Sequence, residues 1–251
     1  MESIKDIKVK LDISSIEAID SFINEYKDDN RSGVISLVDR AEKSKAALNK
    51  EYERLYAMRQ YERENSWASY IAGVDEVGRG PLAGPVVTCA LILPKDADIL
   101  YVNDSKKLSK KKREELYDEI IDKAIAYSIG IRDHKIIDEI NILNATLSAM
   151  ADSINSLSVK PDLVLVDAVH IPDIDIRQES IIKGDAKSIS IAAASIVAKV
   201  YRDRLMEEYA SKYQEYGFES NMGYGSAKHI EAIKKYGPCP IHRRSFIGNF
   251  V

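Results

Sequence analysis

Only two cysteines occur in the 251 residues, Cys89 and Cys239, and they form no metal-spaced pair. That excludes a disulfide-stapled secreted scaffold and a cysteine zinc site, and it suits a reducing, cytoplasmic setting. No stretch approaches 18 uninterrupted apolar residues, and the first residues mix acids with lysines in place of an apolar leader. The expectation is a soluble protein that is neither membrane-spanning nor exported. A basic excess is missing as well: 36 Lys+Arg against 40 Asp+Glu leave a formal net charge of −4. Any nucleic-acid binding must therefore rest on local patches. The four histidines, His134, His170, His229 and His242, stand in unrelated contexts with no helical His/Glu metal spacing, and none offers itself as a catalytic base.

What is present is 45% hydrophobic residues, enough to bury a core in one large domain with a small appendage. Residues 1–65 read as a helical extension set apart from a main domain over 66–251. Ser14 or Ser15 can cap a helix that carries Ile16, Ile19, Phe22, Ile23 and Tyr26 and ends near Asp28-Asp29-Asn30. From Arg31 a longer helical pattern runs through Val34, Leu37, Val38, Ala41, Ala46, Leu48, Tyr52, Leu55, Tyr56 and Met58. Its charges are nearly balanced, as on a solvated face, although an accessory arm touching substrate would look the same. Trp67 and Tyr70 are expected to anchor the junction.

The rest of the chain is arranged around Ile71 to Val87. A short apolar strand ends in Asp75-Glu76, breaks at Gly78-Arg79-Gly80-Pro81, and resumes as a β-rich run from Val86 to Leu93. One glycine suffices for a turn. Two glycines around an arginine let bare backbone amides approach a ligand beside a guanidinium, which favours a phosphate or sugar.

Further on, Asp104-Ser105-Lys106-Lys107-Leu108-Ser109 precedes a helix from the Ser109 cap to about Ala124. Six basic residues between positions 106 and 113 form the densest positive patch, and lysines in a first helical turn oppose the macrodipole. Lys106 and Lys107 are thus candidates for a phosphate backbone. A strand over 126–131, a long helix over 135–157 and a buried strand over 161–168 follow. Asp167 closes that last strand at its C-terminal end, where sites form in α/β sheets. A strand over 178–183 leads to Asp185, which precedes a small-residue helix from Ile189 to about Tyr213 and could merely cap it. Tyr224, between glycines in Asn221–Ser226, can stack on a sugar or base. His242 to Phe246 adds a small basic patch.

Four carboxylates at strand and helix ends suit Mg²⁺ or Mn²⁺, hard ions that take oxygen ligands and keep water and substrate phosphate in their shell. Two such ions roughly 3.5–4 Å apart support in-line phosphodiester hydrolysis with no histidine or serine nucleophile.

The segment Gly73 to Pro81 resembles the signature of ribonuclease HII. The likeness continues in family order through Asp104–Ser109, Val166-Asp167, Lys183-Gly184-Asp185, Ala193–Val200 with Arg202-Asp203, and Gly223-Tyr224-Gly225. The resemblance implies a ribonuclease H-like α/β fold, a mixed sheet flanked by helices with a helical C-terminal part. It also implies an endonuclease that cuts RNA in RNA–DNA hybrids and nicks 5′ to single ribonucleotides in DNA. Carried over by position, Asp75, Glu76 and Asp167 are metal ligands, and Asp185 completes the four acids. Gly78, Arg79 and Gly80 read the ribose 2′-OH, and Tyr224 stacks on the sugar at the junction. Arg79 separates this loop from that of the related ribonuclease HIII. Ala168 departs from the family, where glycine is common. Residues 1–65 resemble helical substrate-affinity modules of some members. A monomer is the default expectation. Fold and acids alone would also fit another two-metal nuclease, or a non-catalytic hybrid-binding protein with structural acids.

Overall fold

The computed structural model describes residues 2–13 and 18–251, and the chain divides into two compact units, residues 1–57 and 58–251. In the first unit, α1 (Ile4–Ile13), α2 (Ile19–Tyr26) and most of α3 (Ser32–Met58) are helical. They close over Ile7, Leu11, Phe22, Tyr26, Val34, Leu37, Val38 and Ala41. The expected serine caps and Ile16 lie outside the described residues. Tyr52 and Tyr56, expected on the apolar stripe of the long helix, are exposed, whereas Leu55 and Met58 are buried.

In the second unit, α4 (Gln60–Glu64) leads into a five-stranded sheet of β1 (Ile71–Val77), β2 (Val86–Ile92), β3 (Ala126–Arg132), β4 (Leu163–Asp167) and β5 (Arg177–Ile181). The strand order is β3-β2-β1-β4-β5. β1–β2 and β2–β3 are antiparallel, while β1–β4 and β4–β5 are parallel, so the sheet is mixed as the sequence predicts. α5 (Lys110–Lys123) precedes β3, and α6 (His134–Asn155) follows it. α7 (Ile189–Lys212), α8 (Phe218–Asn221), α9 (Ala227–Tyr236) and α10 (Arg244–Ile247) complete the chain.

Alternation along the strands divides the two faces. Ala72, Val74, Val164 and Val166 bury against Met150, Ala151 and Ile154 of α6. Ile71, Leu163, Leu165 and Ile181 meet Ile191 of α7 on the other side. Gly73 is required there: a Cβ on it would stand 2.1 Å from the backbone of Ser190, so only glycine lets α7 lie directly on β1. Among the described residues, no helix is long and apolar enough to cross a membrane.

Two local expectations are refined. Tyr70 is exposed and does not anchor the junction through its ring, whereas the Trp67 ring, though exposed, carries the Arg177 guanidinium of β5 at 5.2 Å and donates its N–H to Asn65 at 3.1 Å. Backbone and small residues hold the rest. Ala68 is buried, the amides of Ser69 and Tyr70 donate to Asp162 at 2.8 and 2.9 Å, and Asn65 donates to Glu179 at 3.2 Å. The long helix predicted over 135–157 is broken at Asn141, whose φ is 66°; its side chain accepts from the amide of Asn144 at 3.1 Å and starts the second segment.

Candidate active site

Two carboxylates are brought together by strand register alone. Val74 pairs with Val166 across the parallel β1–β4 ladder, so the next residues, Asp75 and Asp167, stand side by side at the strands' C-terminal ends. Asp75 is buried, and its carboxylate accepts from the amide of Glu76 at 2.8 Å and from the hydroxyl of Ser195 on α7. That hydroxyl is 2.9 Å from Ser105. Asp167 accepts from the amide of Gly184 at 2.8 Å, which draws in the short turn Gly184–Ala186 carrying Asp185. Asp185 does not cap α7. Ser188 does, accepting from the amide of Ile191 at 3.2 Å, and Asp185 is left to line the site. Ala168 adopts a left-handed backbone, φ 55°, at the position where the resembling family favours glycine.

The acids crowd one another. Burial, the neighbouring Glu76 and Asp167 raise the Asp75 carboxyl well above the usual carboxylate range, against the hydrogen bond from Ser195. Burial and Asp167 raise Glu76, opposed by the Arg79 guanidinium 3.5 Å away. Asp185 is raised by burial, Asp104 and Asp167, with Lys106 and Lys107 acting the other way. Beside them lies a pocket of about 510 Å³ lined by Asp104, Lys106, Lys107, Asp167, Lys183 and Asp185, among others.

Among the described residues, no three His, Cys, Asp or Glu side chains are grouped so that together they could hold a metal ion. The donor set still fits a hard divalent cation. It offers carboxylate oxygens only, their mutual repulsion is what a cation relieves, and Mg²⁺ is held by one or two carboxylates with waters and substrate phosphate filling the rest.

The glycine loop is built from behind. Arg202 of α7 is fully buried and donates to the carbonyls of Pro85 at 3.0 Å, Met222 at 2.9 Å and Ala83 at 3.2 Å. Arg243, also fully buried, donates to Gly84 at 2.9 Å, Arg79 at 2.9 Å and Gly78 at 2.5 Å. Burial pushes both guanidinium groups down, to about 10 for Arg202 and, with Arg202 adding repulsion, about 9 for Arg243. The loop's carbonyls are thus turned inward. Among the described residues no protein acceptor takes the amides of Gly78, Arg79 or Gly80. A Cβ on Gly80 would stand 3.7 Å from Cε1 of Tyr224, whose side chain is 45% exposed, so the loop and the tyrosine form one surface.

The basic patch does not survive as a unit. Lys110 pairs with Glu207, Lys111 and Lys112 with Glu115, and Arg113 lies 3.6 Å from Asp203. Only Lys106 and Lys107 turn to the pocket. Burial would lower Lys106, yet Asp75, Asp104, Asp185 and Glu76 raise it. The C-terminal basic patch is corrected too. His242 and Arg243 are buried, because Ala83 forms a β-bridge with His242 and covers this segment. Sequence reasoning missed Asp104, Lys183, Ser195, Arg202 and Arg243 as residues of the site. For Arg202 a signal existed: an arginine in the continuation of an alanine-rich helix that otherwise reads as wholly buried.

The family model described as Ribonuclease HII matches residues 72–249, and that described as Ribonuclease HII N-terminal domain matches residues 3–66. The ribonuclease HII of Lachnoclostridium phytofermentans is 59% identical over 226 residues, 90% of this chain and 89% of that protein. That of Clostridioides difficile is 49% identical over 252 residues, 100% of this chain and 99% of that protein. The crystal structure of ribonuclease H2 from Pyrococcus horikoshii superposes with a TM-score of 0.59 at 33% identity, covering 72% of this chain and 98% of that one.

Proposed function

Since the chain belongs to the ribonuclease HII family and is a metal-dependent ribonuclease H endonuclease, we propose that it hydrolyses the RNA strand of RNA–DNA hybrids and nicks 5′ to single ribonucleotides in duplex DNA. The products carry 3′-hydroxyl and 5′-phosphate ends. The observation that carries this reading is the side-by-side pair Asp75 and Asp167, with β1 running on into a loop of unengaged amides whose Arg79 lies 3.5 Å from Glu76 and whose Gly80 has Tyr224 beside it.

In this reading Asp75, Glu76 and Asp167 hold Mg²⁺ or Mn²⁺, with Asp185 completing the set. The bound ions supply an activated water and charge neutralisation at the departing 3′ oxygen. Ser195 and the Glu76 amide orient the Asp75 carboxylate, and the Gly184 amide orients that of Asp167. Gly78, Arg79 and Gly80 take the ribose 2′-OH, the group that distinguishes RNA from DNA. Tyr224 stacks on the adjoining sugar. Lys106 and Lys107 meet the phosphate backbone, and the N-terminal extension, residues 1–65, adds affinity for the duplex. We infer a cytoplasmic monomer, the compartment suiting two buried free cysteines.

Two measurements follow. A labelled continuous RNA–DNA hybrid is cut with Mg²⁺ or Mn²⁺ and left intact with chelator, and the fragments are extended by a polymerase from their 3′-hydroxyl ends; fragments that cannot be extended would contradict the stated end chemistry. Replacing Lys106 and Lys107 by Ala weakens hybrid binding and flattens its log–log salt slope by roughly 0.9 for each phosphate no longer neutralised. An unchanged slope in a salt titration would return both lysines to a solvated face.

A further inference from the structure

Two histidines that the chemistry above does not use lie directly behind the substrate-facing surface. His229 on α9 and His242 after Cys239 are 0% and 1% exposed, and their Nε2 atoms are 3.0 Å apart. Tyr216 and Phe218 pack edge-on or tilted against both rings, Tyr216 at 4.9 Å from His242 and Phe218 at 5.3 Å from His229, and exclude water.

The hydrogen bonds at the two ends of this pair fix its protons. His229 Nδ1 is 2.8 Å from the carbonyl oxygen of Tyr224, which can only accept, so Nδ1 carries hydrogen. In a neutral ring Nε2 of His229 is then bare and accepts from Nε2–H of His242. That leaves Nδ1 of His242 bare, and the amide of Cys239 donates to it at 2.9 Å, the longer 3.3 Å approach to the Cys239 carbonyl being no bond in this state. The chain therefore runs in one direction, from Cys239 N–H through His242 and His229 to the Tyr224 carbonyl. A proton added anywhere sets two N–H groups against each other.

Both ends of this chain are tied to the site. Tyr224 is the exposed ring beside Gly80, and the amide of Leu82 donates to the carbonyl of Gly223, next to Tyr224, at 2.8 Å. On the other side, His242 bridges to Ala83, and the next residue, Arg243, holds the carbonyls of Gly78 and Arg79.

We propose that His229 and His242, as two neutral imidazoles of opposite tautomer, are positioning residues that set the Tyr224 ring against the Gly78–Gly80 loop. The proposal rests on the reading of Tyr224 and that loop as the sugar-contacting surface. Tyr216 meets the pair through its ring and Cys239 through its backbone, and the charged or titratable groups acting on it from outside are Arg244 and His134 of α6; burial, His229, Arg244 and His134 together hold His242 down to about 4, and burial lowers His229. Both rings therefore stay neutral at pH 7. Because the folded value of His242 lies below the unfolded 6.5, the stability it lends is complete above pH 6.5 and is lost as pH falls toward 4.

The test is nitrogen-15 NMR of histidine-labelled protein together with the ring signals of labelled tyrosine. At pH 7, His229 is expected as the Nδ1–H tautomer and His242 as the Nε2–H tautomer, each assigned by its own substitution. The Tyr224 ring signal, assigned with Tyr224→Phe, shifts in His229→Phe and returns in His229→Asn, whose amide nitrogen stands where Nδ1 stood. A charged ring at pH 7, reversed tautomers, or an unmoved Tyr224 signal overturns the proposal. In the cleavage assay His229→Phe raises KM about tenfold with kcat within about twofold, the loss expected for one hydrogen bond acting on uniform binding. It adds nothing in a Tyr224→Ala background. An equal effect in that background also overturns the proposal. Should wild-type protein leave hybrids uncut, the proposed function fails while the NMR signals still decide the positioning role.

Discussion

Asp75→Asn lowers turnover by well over ~100-fold and, in metal-free buffer, raises the melting temperature. The loss of activity follows from position: even partners of a ligand typically cost ~10–100-fold when removed, and Asp75 is assigned as a ligand itself. The gain in stability follows from charge. Asp75 is buried next to Glu76 and Asp167, and its folded carboxyl titrates well above the unfolded 3.8. A group raised in this way is harmless below pH 3.8 and costs stability as pH rises through its folded value, at about 1.4 kcal/mol for each pH unit that separates the folded and unfolded values. The amide keeps the hydrogen bond from Ser195 and carries no charge. Scanning calorimetry without metal is therefore expected to show a higher melting temperature for Asp75→Asn than for the wild type at pH 8 and little difference near pH 4. Added Mg²⁺ narrows the gap by stabilising the wild type. Equal melting temperatures at both pH values would mean that the acids do not repel one another as the geometry implies.

Arg243→Leu has the other large effect. Its guanidinium meets three carbonyls, of Gly78, Arg79 and Gly84, and the residue is fully buried. Truncation orphans two buried acceptors, of Gly78 and Gly84, and a part-buried one, of Arg79, each buried acceptor worth about 1–3 kcal/mol, so a loss of roughly 3–5 kcal/mol in urea unfolding is expected. Arg243→Lys recovers little, because one ammonium cannot span the fork. A loss below about 1 kcal/mol would contradict the account of a loop held by its carbonyls. The clamp also explains how a loop rich in glycine can present its amides in a fixed array: freedom at Gly78 and Gly80 is removed by bonds made from behind.

The order of strands and helices in the main unit was legible because each β-branched run and each helical stripe stands between clear Gly, Pro or Ser boundaries. The acids were legible for the same reason: Asp75 and Asp167 end apolar runs where a charge has no structural purpose. Asp185 was ambiguous until Ser188 was found to cap the helix after it. The arginines and histidines of the C-terminal segment were not legible. Arg243 beside Arg244 reads as surface charge, and nothing local reveals that the chain from 239 to 243 is covered by Ala83 and the glycine loop. His229 and His242 belong to different segments, and only the tertiary fold brings their rings within 3.0 Å. The lysine run misled in the opposite direction, since charge density along the sequence does not say which side chains find acids: Lys110, Lys111, Lys112 and Arg113 do, and Lys106 and Lys107 turn to the pocket.

The most direct measurement is cleavage of a DNA duplex containing one ribonucleotide, beside the same duplex with a 2′-deoxy residue at that position, with Mg²⁺ and with chelator. The account predicts a single metal-dependent nick 5′ to the ribonucleotide and an intact all-DNA control, because Gly78, Arg79, Gly80 and Tyr224 address one ribose. Cutting of the all-DNA duplex, or cleavage of continuous hybrids with the lone ribonucleotide left untouched, would contradict it.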